Sequence, residues 1–138
     1  MFKLFCSVAA VAVAQVALSV PAHAEEKKFV KPNSQWAGDI EDVSPSLGEA
    51  KLITTSEQMA KLWKDWAGKG KAPDINFATE FAVVVFSRGS SLDIKATNTD
   101  GVMDVFGFGT KDIQPGMRYI VGSFSRDGVK KVNGKELK

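Results

Sequence analysis

Five groups of residues have the types and spacings that chemistry needs. Gly89-Ser90-Ser91-Leu92-Asp93 begins like the sharp turn that presents a nucleophilic serine, but the motif's closing glycine is missing. The bland reading, a strand-to-strand turn, explains it. Asn98, Asp100 and Asp104, with Gly101 among them, offer hard oxygen donors of the kind a calcium loop uses. No glutamate closes that set, and an Asn/Asp/Gly hairpin accounts for the residues, so no metal site is expected. Asp39-Ile40-Glu41-Asp42 reads as a solvated acidic loop. Trp36, Trp63, Trp66 and Tyr119 could stack on a sugar or a peptide, since such rings favour binding surfaces. Arg88, Arg118 and Arg126 fall on strands or at strand ends and read as scattered surface charges.

What the chain lacks narrows the chemistry further. It has 138 residues, with 18 Lys and Arg, 16 Asp and Glu, one Cys and one His. Residues 1–24 carry Lys3, an apolar run from Leu4 to Val20, then Pro21 and Ala22-His23-Ala24 before the charged Glu25 to Lys28. This pattern predicts a secretory signal peptide cleaved after Ala24, and hence a periplasmic or extracellular protein. The run is short for a bilayer span, which takes roughly 20 apolar residues, so no stable membrane insertion is expected after cleavage. Taking 24 residues from 138 leaves 114, and Cys6 and His23 leave with them. The mature chain then has no Ser-His-Asp triad, no Cys-His dyad and no imidazole or thiolate ligand. It also lacks a phosphate-cradling loop and a Ser-x-x-Lys pair. With Lys3 removed, 17 basic residues face 16 acidic ones, so nothing electrostatic points to nucleic acid. No cofactor is expected.

The elements that must position these residues follow from periodicity. Residues 25–48 are polar and broken by Pro32, Gly38, Pro45 and Gly48. They are expected to form an arm or loose segment, with Trp36 docking it, or a short strand of it, on the core. A single domain is expected over 49–138. Residues 50–54 suggest a strand. Thr54 or Thr55, with Glu57 or Gln58 three residues on, makes a capping box. Met59, Leu62, Trp63 and Trp66 then share one helical face, which makes core the favoured reading for both tryptophans. Gly68 is expected to end that helix.

Phe81 to Phe86 is an unbroken apolar run and predicts a strand buried on both faces. Leu92, Ile94 and Ala96 alternate with polar residues as in a half-buried strand. Asn98 to Gly101 is a hairpin turn, and 101–109 returns with glycines that signal a bulge or close backbone approach. Further strands are expected over 117–125 and 129–132, with turns at Asp127-Gly128 and Asn133-Gly134. The fold class is α+β: a mostly antiparallel sheet with one amphipathic helix packed on it.

From Leu52 to about Val105 the chain resembles the PrcB C-terminal-domain family, accessory subunits of a bacterial surface protease complex. The resemblance rests on Leu62-Trp63, Pro73-Asp74-Ile75-Asn76-Phe77, the strand Phe81 to Phe86, and Gly89. Asn76 stands where the family pattern has aspartate, and Ser90-Ser91-Leu92 replaces a Gly-Gly-Tyr element. The resemblance implies an exported α+β domain without catalysis, cofactor or transferable functional residues.

The expected function is therefore an exported, non-enzymatic binding or accessory domain. Its partner would be an exported protein such as a protease or envelope enzyme, taken by edge-strand pairing. Gly89, Ser90, Ser91 and Leu92, with the Asp100 to Asp104 hairpin, form the first candidate surface. The alternative is a small-ligand or glycan domain with an aromatic cleft built from Trp36, Trp63 or Tyr119. A carboxylate-dependent hydrolase is a third reading, which would need two acids facing across a pocket.

Overall fold

The computed structural model describes residues 26–40, 50–66 and 71–138. Their order is β1 (Lys28–Val30), β2 (Ser34–Ile40), β3 (Lys51–Ile53), α1 (Ser56–Asp65), β4 (Glu80–Ser87), β5 (Leu92–Thr99), β6 (Val102–Gly109), β7 (Met117–Ser125), β8 (Lys131–Val132) and β9 (Lys135–Glu136). The class is α+β, with mostly antiparallel strands and one helix. The strands divide into two sheets, ordered β1-β5-β6-β8-β9 and β2-β7-β4-β3. Every pairing is antiparallel except β6 with β8.

Residues 25–48, expected as an arm or loose segment, contain two strands that enter both sheets. Phe29 lies opposite Thr97 in the five-stranded sheet. Seven consecutive residues of β2 pair with β7 in the four-stranded one. Pro32 falls between the two strands, where its missing N–H breaks no ladder. At three residues β1 is too short to carry a periodic signal of its own; its pairing is supplied by β5.

Three layers result. On β4, Phe81, Val83 and Val85 point toward the five-stranded sheet and pack with Ile94, Ala96, Met103, Val105, Ile120 and Phe124. Ala82 and Val84 point the other way, onto Met59, Leu62 and Trp66 of the helical layer. The unbroken apolar run is thus explained by two packed faces. Thr55 caps the helix by accepting the Gln58 N–H at 3.2 Å, and Gln58 Oε1 accepts the Thr54 N–H at 2.9 Å. The helix ends at Asp65 with Trp66 as its C-cap; Gly68 lies outside the described residues.

β5 and β6 form a two-residue hairpin. Thr99 pairs with Val102, and Asp100 and Gly101 both take positive φ, 50° and 86°. The Asn98 side-chain oxygen accepts the Gly101 N–H at 3.0 Å. This tight turn sets the register of everything that follows on β6.

Candidate functional site

The anticipated residues are not brought together in one place. Gly89, Ser90, Ser91 and Leu92 lie at one end of the β5–β6 hairpin and Asp100 at the other. Eight strand residues separate them, roughly 26 Å at the usual rise. Asp104 sits in mid-strand opposite Thr97. Asn98 pairs with Met103 on the inward side, so Asn98 and Asp104 face opposite ways and cannot share a cation. Among the described residues, no three His, Cys, Asp or Glu side chains are grouped to hold a metal.

The 88–91 turn is tied to the 110–114 loop. Ser90 N–H donates to Asp112 Oδ1 at 3.0 Å, and Ser91 N–H to Thr110 Oγ1 at 3.1 Å. Gln114 donates its backbone N–H to Arg88 and its side-chain amide to Asp112. Donation from Thr110, then from Ser90 and Gln114, holds the Asp112 carboxyl well below the usual carboxylate range. Ser90 and Ser91 therefore serve a structural knot.

The aromatic candidates pack against each other. Trp66 is 5% exposed and meets Phe86 and Tyr119, with centroids 5.0 and 5.3 Å away. Trp63 meets Tyr119 edge-on at 5.7 Å. Trp36 is half-buried against the same cluster. Burial, with Asp39 nearby, pushes the Tyr119 hydroxyl upward in pKa. Leu92 and Tyr119 do share a shallow cleft of about 260 Å³ with Ala37, Gly38, Asp39, Arg118 and Ile120. In it, Arg118 Nε lies 4.0 Å from Asp39.

The surface that stands out is the outer face of the five-stranded sheet. The register puts Phe29, Asp93, Lys95, Thr97, Thr99, Val102, Asp104, Phe106 and Phe108 on that side. Phe29 is 82% exposed, Phe108 62% and Phe106 42%. The Lys95 ammonium lies 4.9 Å from the centroid of Phe108. Lys131 and Glu136 extend the same face through β8 and β9. Its charges are thus two lysines and three carboxylates.

Glycines explain how the inner side of β6 accepts this arrangement. A β-carbon on Gly107 would come within 2.9 Å of Val85 Cβ, and one on Gly109 would collide with Ser87. The strand lies close on β4 at that end, and its phenylalanines point to solvent. Residue type alone does not mark Phe29, Phe106 and Phe108 as a surface. The signal lay in the hairpin: a two-residue turn after Thr99 aligns the even residues of β6 with the polar side of β5.

Comparison with family models, curated proteins and solved structures found no match.

Proposed function

We propose that this chain is an exported, non-enzymatic accessory domain that binds another protein through the outer face of its five-stranded sheet. The observation that supports it is the set of phenylalanines at 29, 106 and 108, exposed on one sheet face that no other element covers among the described residues. An uncovered apolar patch of this kind is characteristic of a partner surface. The near balance of lysines and carboxylates favours a protein over a polyanion, because a phosphate backbone needs a basic excess. The partner expected from the PrcB-like stretch is an exported protease or envelope enzyme, with the domain acting after cleavage at Ala24.

Crosslinking in cells, followed by mass spectrometry of the exported fraction, tests this. The wild-type chain should be recovered from Glu25 onward with one dominant protein partner. The double variant Phe106→Ser/Phe108→Ser should fold normally, since both rings are solvent-facing, and lose that partner by tenfold or more. Retention of the partner by the double variant refutes the assignment of the face.

A further inference from the structure

The strand edges of the five-stranded sheet are guarded unequally. β6 pairs with β5 along its whole length, but on its other side β8 covers only Val102 and Met103. The next position is completed by a side chain. Asn133 Oδ1 accepts the Val105 N–H at 2.8 Å, and Asn133 Nδ2 donates to the Val105 carbonyl at 3.1 Å. One amide side chain thereby stands in for a neighbouring strand. On β5, the Asp93 carboxylate similarly accepts the Ile94 N–H at 2.8 Å, where β1 no longer reaches. On the free edge of β2, Asp39 places a charge beside Arg118. Such side-chain caps and edge charges are the usual protection against unwanted strand pairing.

From Phe106 to Gly109, β6 carries no such device among the described residues. Since Val105 turns its N–H and C=O away from β5, alternation makes Gly107 and Gly109 do the same. Their two N–H and two C=O groups form a ladder that no strand among the described residues pairs with, and both glycines are exposed. Phe106 and Phe108 flank that ladder on the outer face.

We propose that the free edge of β6 from Phe106 to Gly109 receives an extended segment of the partner protein as an added strand, hydrogen-bonded to Gly107 and Gly109. The backbone groups define the occupant: a strand without proline at its pairing positions. Its side chains opposite Phe106 and Phe108 are apolar, because cross-strand neighbours on one face touch. Lys95 and Asp93 beside the rings balance in charge, so the segment is uncharged there. This inference rests on the docking reading above and adds the mode of recognition to it.

The probe is a display library of unconstrained random decapeptides, selected against the purified mature protein. Enriched peptides should alternate apolar residues. Binding should slow amide hydrogen exchange at Gly107 and Gly109 tenfold or more, and N-methylation of one alternate set of peptide amides should weaken binding at least tenfold. Peptides that depend on Phe108 but leave exchange at both glycines unchanged overturn strand addition and leave face docking intact. Enrichment of no peptide, or of peptides indifferent to Phe106→Ser/Phe108→Ser, also overturns it. The crosslinked partner's own dependence on the two rings then decides the docking reading separately.

Discussion

Replacing Arg126 by methionine isolates one guanidinium that holds three parts of the chain together. Its Nε donates to the Glu80 carbonyl at 2.9 Å, Nη2 to the Thr54 carbonyl at 2.9 Å and Nη1 to the Lys138 carbonyl at 2.8 Å. The first two bonds are partly buried and join the start of β4 to the chain leaving β3; the third is exposed. Methionine keeps the apolar stem and removes the donors. Counting the two partly buried charged bonds at about 1.5 kcal/mol each and the exposed one at nothing gives a loss of about 3 kcal/mol. For a domain of this size that is roughly 12 °C in Tm. Arg126→Lys should lose about 2 kcal/mol, because an ammonium cannot serve divergent carbonyls as a planar fork does. Guanidinium-chloride unfolding followed by tryptophan fluorescence measures both, since Trp66 sits in the core. A loss below about 0.5 kcal/mol for Arg126→Met, the level of an ordinary surface substitution, refutes the clamp.

Gly89→Ala should cost about 2 kcal/mol by overpacking, since its new β-carbon would collide with the Thr110 carbonyl; chemical denaturation checks it, and faster exchange at the Ser90 and Ser91 amides should accompany the loss. Asn133→Gly keeps the left-handed backbone at φ 49° but removes both bonds to Val105, so it should cost about 1–2 kcal/mol. It also lengthens the open edge of β6, and size-exclusion chromatography should show more association. Because the folded carboxyl of Asp112 is depressed, its contribution is present above the ordinary value of 3.8 and is lost as pH falls through the lower folded value. The Ser90 amide resonance should hold steady from pH 7 to 4 and move only in stronger acid. Tyr119 is shifted the opposite way, so its contribution is whole below the ordinary 10.0 and is lost as pH rises through the raised folded value; thermal unfolding from pH 8 to 11 should show an alkaline step that Tyr119→Phe reduces.

The helix and the long strands were legible because each has one dominant periodicity. Met59, Leu62 and Trp66 repeat at helical spacing and are buried. Phe81 to Val85 has no polar interruption because both of its faces are packed. The division into two sheets was not legible, since alternation tells which side of a strand is apolar but not which strands share a sheet. β1 and β2 were hidden for another reason. β1 is only three residues long and β2 alternates weakly, so their pairing through backbone groups that every sequence carries is revealed only by β5 and β7. Arg126 looked like one of several surface charges because its three acceptors are backbone carbonyls at positions 54, 80 and 138, far apart in sequence. The aromatic side chains are equally hard to sort from sequence. Trp36, Trp66 and Tyr119 pack between the helix and the four-stranded sheet, while the most exposed rings belong to phenylalanine.

The Phe106-Gly107-Phe108-Gly109 stretch separates what folding requires from what it does not. The glycines have a structural cause, because β4 leaves no room for a β-carbon at either position. The phenylalanines have none of comparable weight. Their outward position follows from the register, where threonine would serve the strand as well, and the Lys95 contact is an exposed one worth about 0.5–1 kcal/mol. Together the four residues present apolar rings beside a strand edge that nothing among the described residues caps, a combination that favours self-association. The side-chain caps at Val105 and Ile94 show that the same sheet protects edges elsewhere. Among the described residues the sheet guards two positions and leaves the third both bare and aromatic, and that contrast is the observation on which the proposed partner strand rests.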